Sequence, residues 1–254
     1  MQVELDDTIR YKLNLSESIL MNDLIGQEIL LQWSGIINCQ KCGKVTKKSF
    51  GEGFCYSCFV SAPEAAECIL RPELCRAHLG EGRDPEWEQK HHNQPHVVYL
   101  AASSAVKVGI TRKEQVPTRW IDQGASSALI LAETPNRYEA GRIEVALKDI
   151  FTDKTNWRKM LKNEVDQSID LADEKWALED QLPGDIIDFF TDDEDETLLN
   201  YPVLQYPEKI TSMSFDKFPT IRGKLQGIKG QYLLFDDGKV MNIRKHTGYH
   251  IEIK

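Results

Sequence analysis

Two CxxC pairs, Cys39-x2-Cys42 and Cys55-x2-Cys58, constrain this chain more than any other feature. Each knuckle turns tightly enough to aim two thiolates at one point, and two knuckles together close a tetrahedral Zn(II) site. Gly43 follows the first knuckle, where a small residue lets backbone amides approach the sulfurs. The intervening GKVTKKSFGEGF reads as a hairpin with a Gly-rich turn at Gly51–Gly53. A pair of disulfides is the competing use of these cysteines, and a reducing compartment disfavours it. Four protein ligands leave no open position for chemistry, so the expected role of the zinc is structural.

The compartment follows from the rest of the chain. The N-terminus, MQVELDDTIRYKLNLSES, is polar and acidic where a secretory signal needs a basic start and an apolar run. No stretch of 18 uncharged apolar residues is present, so no transmembrane helix is expected. The expected location is the cytoplasm. Two further cysteines, Cys68 and Cys75, lie in ECILRPELCRAH, and His78, His91 and His92 follow them. Cys68 and Cys75 with two histidines, His78 and His92, make a candidate second zinc site. The competing reading is a pair of buried thiols beside solvated histidines.

At 254 residues with 41% hydrophobic and 28% charged residues, the composition is that of a globular chain with a substantial core. The formal net charge of −9 argues against a general polyanion binder, but the charge is unevenly spread. Residues 164–204 carry 1 basic and 14 acidic groups, while 97–163 and 205–254 are net basic. The acidic segment reads as a solvated linker or helix face. A sharper reading makes it a mimic of nucleic acid that covers a basic groove, or a protein-contact surface.

From His96 the pattern changes. HVVYLAA and AVKVGI are strand-like runs around a Ser103-Ser104 turn. Pro117 opens a helix ended by Gly124, SALILA is a third strand, and a helix with Ile143, Leu147, Ile150 and Phe151 on one face follows. NWRKMLKNEV reads as a short trailing helix, capped by Asn156 or Asp153. These residues resemble the GIY-YIG nucleases over roughly 96–162. VVY, ending in Tyr99, stands where the first tyrosine motif would be, and KVG, ending in Gly109, where the second would be. Arg119 and Glu144 fall at the places of the family's arginine and metal-binding carboxylate, and Asn156 at its late asparagine. The chain departs at Val97, where the family has glycine, and at Lys107, where it has the second tyrosine.

The resemblance implies phosphodiester hydrolysis. Glu144 would hold one Mg(II) or Mn(II). Arg119 would stabilise phosphate oxygens. Tyr99 would relay a proton, with Lys107 supplying a cation at the edge. Each residue also has a plainer reading: Tyr99 as a core tyrosine, Arg119 and Glu144 as an ion pair, Asn156 as a helix cap. The spacing leads us to expect Tyr99, Arg119 and Glu144 in one solvent-accessible cleft. The whole chain also resembles an uncharacterised bacterial family that joins a CxxC…CxxC module to HVVYLA…KVGITR and a GIKGQYLLFDDGKVMNIRKHTGY tail; no activity comes with it.

At the ends, residues 24–37 are strand-like, and 221–253 read as a β meander with a hairpin at Asp237-Gly238. The meander suggests a small half barrel with Lys224, Lys229, Tyr232, Arg244 and Lys245 on a basic, aromatic face, or a structural sheet packed on the N-terminal strands. The expected class is α+β: an N-terminal β segment (1–38), a zinc module (39–95), a GIY-YIG-like ββαβα domain (96–180), an acidic linker (181–204) and a C-terminal β module (205–254). The expected function is that of a zinc-containing nucleic-acid-binding protein, DNA or RNA undecided, with divalent-metal-dependent phosphodiester hydrolysis in prospect. The alternative is an inactive binding or protein–protein adaptor module. No membrane partner is expected.

Overall fold

Three short strands open the chain, β1 (Gln2–Glu4), β2 (Arg10–Asn14) and β3 (Ser18–Leu20), paired antiparallel in sequence order. Alternation in β2 sends Tyr11 and Leu13 inward and Arg10, Lys12 and Asn14 outward. The Asn22 side chain pins this sheet, accepting from Tyr11 N and donating to the Ile9 carbonyl. β4 (Glu28–Ile37) buries Ile29, Leu31 and Ile37 and leads into the first cysteine knuckle; α1 (Tyr56–Ser61) carries Cys58. The computed structural model describes residues 1–148, 150–151, 156–178 and 181–254, and among these residues it is a mixed α+β protein with sheets of three, six and four strands. It divides into two compact units, one of Met1–Ser61, Ile121–Gly124 and Asn200–Lys254, the other of Ala62–Trp120 and Ala125–Leu199. No helix among the described residues is long and apolar enough to cross a membrane.

The second unit begins with short 3-10 turns and α2 (Pro85–His92), capped by Asp84, whose side chain accepts from Trp87 N. β5 (His96–Ala102) and β6 (Val106–Arg112) form a hairpin, and α3 (Thr118–Gln123), β7 (Ser127–Thr134) and α4 (Arg137–Leu147) follow. β5 lies between β6 and β7 and is buried along its whole length. Its Val98, Leu100 and Ala102 pack with Leu129 and Leu131 and with Ala140, Ile143 and Leu147 of α4. α4 stops sooner than its apolar spacing predicts. It closes at Leu147, leaving Ile150 exposed while Phe151 enters the core from beyond the helix. Asn156 caps α5 (Trp157–Leu161), accepting from Arg158 N and Lys159 N; Asp153 lies outside the described residues.

The acidic stretch contributes to this core. α6 (Leu171–Trp176) and α7 (Gly184–Ile187) follow; Leu182 before α7, Ile186 within it and Phe189 and Phe190 after it pack against the β5–α4 cluster, and β8 (Thr197–Leu198) adds an edge strand to β7. Lys175 fastens it. Fully buried, its Nζ donates to the carbonyls of Ile130 and Asp193 and to Thr191 Oγ1. Among the described residues, this segment exposes most of its carboxylates while sending Leu182, Ile186, Phe189 and Phe190 inward, which a charge count alone does not reveal.

The chain then returns to the first unit through β9 (Thr211–Met213), β10 (Thr220–Lys229), β11 (Tyr232–Phe235), β12 (Lys239–Asn242) and β13 (Tyr249–Ile253). With β4 they make one sheet, in the order β13-β4-β10-β11-β12-β9, so the N-terminal strand is flanked by two C-terminal ones. Gly238, at φ +76°, makes the expected β11–β12 turn.

Lys229 departs from the expected basic face. It is 1% exposed, with Nζ 5.2 Å from the Tyr201 ring centroid and 5.4 Å from that of Tyr206. Burial brings its ammonium down to about 8. A lysine with a lowered folded pKa is protonated more in the unfolded chain, so stability rises with pH between about 8 and the ordinary lysine value. Lys229→Met is expected to flatten that rise and to raise the melting temperature at pH 7, the gain being at most a few kcal/mol. Melts of both proteins at pH 7 and pH 9.5 test this. Parallel slopes would show that the two tyrosine rings fully offset the desolvation.

Candidate metal centres and the central site

The cysteine knuckles are built by their turns. Gly43 takes φ +71° so that its N–H can donate back to Cys39 O, and Asn38 Nδ2 donates to Gly43 O. A Phe50–Phe54 bridge, with both backbone bonds at 2.9 Å, closes the loop over Gly51–Gly53. The expected hairpin is thus a single bridge. Cys39, Cys42, Cys55 and Cys58 place their sulfurs within 4.8 Å of one another. Cys42 Sγ and Cys55 Sγ are 3.9 Å apart. A tetrahedron with Zn–S bonds of about 2.3 Å has S···S edges of about 3.8 Å, whereas a disulfide needs about 2.05 Å. Burial pushes the Cys39 thiol up, but backbone N–H groups of Cys42, Cys55 and Lys41 outweigh it and bring the thiol down to about 6. Thiolate is the ligand form, and the donor set fits zinc.

A second cluster lies in the other unit. Cys68, Cys75 and His92 are all buried, and their ligand atoms lie within 4.8 Å of one another. His92 Nδ1 is 3.9 Å from Cys68 Sγ and 3.7 Å from Cys75 Sγ. Cys68 holds the Cys75 thiol down, with a further contribution from His92 and burial opposing both, to about 4. His78 does not join this cluster. The 3-10 turn Ala77–Leu79 directs its ring onto Tyr138, stacked at 4.7 Å. Glu88, absent from the sequence-based set, is buried with Oε2 3.9 Å from His92 Nδ1. The signal available for it was its spacing: Glu88 and His92 are four apart on one helix, hence on one face.

The central residues are only partly brought together. Arg137 of α4 is the meeting point. It donates from Nε to Cys68 O and from Nη2 to Ile69 O. Burial lowers its guanidinium, while the Cys68 and Cys75 sulfurs and Glu144 favour its charge and Arg119 opposes it. Arg119 and Glu144, both half-buried, therefore share one electrostatic neighbourhood with Arg137. Tyr99 is 1% exposed, not solvent-facing as expected for a cleft residue. It meets Trp120 edge to face at 6.0 Å, and a Cβ at Gly109 would come within 2.6 Å of its hydroxyl. Gly109 therefore leaves room for the tyrosine. Alternation along β5 puts Tyr99 on the sheet face opposite Val98 and Leu100, which pack with α4. Lys107 is half-buried on β6, opposite Ala101, and Asn156 is committed to capping α5.

A family model described as "Protein of unknown function (DUF2797)" matches residues 26–251. The chain belongs to this family. The match runs from the residues before β4 into β13 and takes in both cysteine clusters, so the family's extent includes the six-stranded sheet and the β5–α4 core. No curated protein and no solved structure matches the chain.

Proposed function

We propose that this is a zinc-containing nucleic-acid-binding protein whose contact surface is the Cys39–Cys58 module. The supporting observation is an exposed set of apolar and aromatic side chains beside lysines on the frame of the four-cysteine cluster. Tyr56 is 64% exposed and Val45 71%, with Phe59 and Val60 also exposed. Phe50 lies between them, 5.5 Å from the Tyr56 ring, with Lys48 Nζ 5.3 Å from its own centroid. Lys41, Lys44, Lys47 and Lys48 are all exposed. Four thiolates on one Zn(II) leave a charge of about −2 at the centre, but the same unit adds cations. Arg244 Nε bonds Glu52 at 2.6 Å, which neutralises the module's acidic residue and brings exposed Lys245 alongside. Aromatic faces for bases and cations for the backbone are what single-stranded nucleic acid requires.

The test is fluorescence anisotropy with a labelled 20-nucleotide single strand, as DNA and as RNA, at two salt concentrations. Binding is expected to weaken with salt. Replacing Lys44, Lys47 and Lys48 by Glu should reduce the log–log salt slope by about 2, and Phe59→Ala or Tyr56→Ala should each cost about 1–3 kcal/mol. Affinity that ignores all five changes would remove the module from the interface. No affinity at all would favour an adaptor role.

A hydrolytic reading, drawn from the GIY-YIG likeness, is supported by Glu144 and Arg119 both acting on the Arg137 guanidinium. Those are the cation and carboxylate that phosphate and Mg(II) or Mn(II) would use. The burial of Tyr99 counts against it as the proton relay. Cleavage dependent on Mn(II) and lost in Glu144→Ala would support this reading.

A further inference from the structure

We infer that Cys68, Cys75, His92 and Glu88 hold a second zinc ion, which fastens the segment of 3-10 turns to the rest of its unit. The inference does not rest on nucleic-acid binding. Geometry is its first ground. With Zn–S of about 2.3 Å and Zn–N of about 2.0 Å, a tetrahedral S···N edge is about 3.6 Å. His92 Nδ1 stands 3.7 and 3.9 Å from the two sulfurs, and these three ligand atoms lie within 4.8 Å of one another; Glu88 Oε2, 3.9 Å from the same nitrogen, stands outside that set of three and has to close on the ion as the fourth donor. Two thiolates, an imidazole and a carboxylate form a zinc donor set.

The second ground is how the fourth donor is held. Glu88 and His92 occupy one face of α2, and both are buried. Arg83 N donates to Glu88 Oε1 at 2.8 Å, which leaves Oε2 toward the histidine. Gly82 makes the room: a Cβ there would fall on the Glu88 carboxylate, 2.2 Å from Oε2. Orienting contacts of this kind accompany metal-binding carboxylates. Burying two thiols and an imidazole side by side, with a carboxylate oxygen next to them, is costly without a cation, and one zinc ion would offset that cost.

The third ground is what otherwise holds the segment. It consists of the 3-10 turns Pro63–Ala65, Glu67–Ile69, Pro72–Leu74 and Ala77–Leu79. Its own apolar cluster is Ala66, Cys68, Cys75 and Ala77, with Tyr138 against them. Beyond these, Ala62, Pro63 and Pro72 are buried and Arg137 bonds the Cys68 and Ile69 carbonyls. That is little apolar surface for so irregular a backbone. In such small modules the metal supplies the missing cross-link.

The test uses the full chain purified without added metal. Elemental analysis should give about two zinc per chain, and X-ray absorption an average of about three sulfurs per zinc, four at one centre and two at the other. Cys75→Ser should lower the count to about one and leave the Cys39–Cys58 zinc in place. Glu88→Gln should release the second zinc to a mild chelator at least about tenfold faster, whereas His78→Ala should change neither count nor rate. The inference fails if the wild type holds one zinc with four sulfurs around it, or if Cys68 and Cys75 are found as a disulfide. Zinc lost in His78→Ala and kept in Glu88→Gln would overturn the assignment of the fourth ligand. The absorption measurement on the wild type needs no variant to fold.

Discussion

Removing zinc from the Cys39–Cys58 centre, by chelation or by Cys42→Ser, is expected to unfold residues 36–60 while β10–β12 stay protected. The reason is the absence of any other core. Between residues 38 and 61, Cys39 and Gly53 alone are buried among the described residues; every other side chain is exposed or half-exposed. Apart from the cysteines, the loop is held by backbone bonds such as Gly43 N to Cys39 O, Gln40 N to Gly53 O and the Phe50–Phe54 pair, by the exposed Arg244–Glu52 ion pair and by ring contacts of Phe50 with Tyr56 and Phe59. On residues that are mostly exposed or half-exposed, these contribute a few kcal/mol at most. Binding of structural zinc contributes on the order of 10 kcal/mol in comparable modules, and a zinc ion on these four cysteines would supply the folding free energy of the loop. The six-stranded sheet has its own core in Ile221, Leu225, Ile228, Leu233, Leu234 and Val240. Hydrogen exchange with and without chelator should therefore show protection lost at Phe50, Phe54 and Phe59 and retained along β10–β12. Equal protection at Phe54 in both states would mean that the loop folds without metal.

The two metal clusters show what spacing can and cannot carry. In Cys39–Cys58 each pair of ligands is set by one turn, so the sequence contains the local geometry whole. In the second cluster the ligands come from two 3-10 segments and a helix. Cys75-x2-His78 has the spacing of a knuckle, yet the Ala77–Leu79 turn carries His78 onto Tyr138 and leaves the place to α2. No local rule for the 62–81 stretch predicts that. The strands and helices between His96 and Leu147 were legible because their apolar runs are long and punctuated by Pro117 and Gly124. The side-chain environments were less so. Tyr99 and Lys229 read equally well as site residues; only the covering elements decide, Trp120 for the first and the Tyr201–Tyr206 stretch for the second. The exposed lysines of the cysteine module were obscured by averaging, since residues 1–96 taken together are net acidic. The acidic stretch was obscured by its charges, which conceal Ile186, Phe189 and Phe190.

Gly141 offers a test in which two rules of protein stability predict opposite signs. It lies inside α4, where glycine costs about 1 kcal/mol relative to alanine, so a propensity argument makes Gly141→Ala stabilising. The packing argues the reverse. A Cβ at Gly141 would stand 2.4 Å from Glu73 N and 2.5 Å from Pro72 C. These are backbone atoms of a 3-10 turn, not the end of a side chain that can swing away. Neighbouring contacts hold that turn on α4, with Arg137 bonded to the carbonyls of Cys68 and Ile69. To admit a methyl group, the turn has to lift from the helix or α4 has to shift on the sheet, where Ala140, Ile143 and Leu147 are locked in the core. Overpacking of this kind costs about 1–3 kcal/mol, which exceeds the propensity gain, and Gly141→Val adds branching and should cost more. Denaturant melts should therefore show both variants less stable than the wild type, with valine the worse. Because Cys68 and Cys75 lie on either side of Pro72–Glu73, lifting the turn should also loosen the second zinc and leave the Cys39–Cys58 zinc unaffected. An alanine variant as stable as the wild type or more so would mean that the 3-10 turns ride on α4 with room to spare.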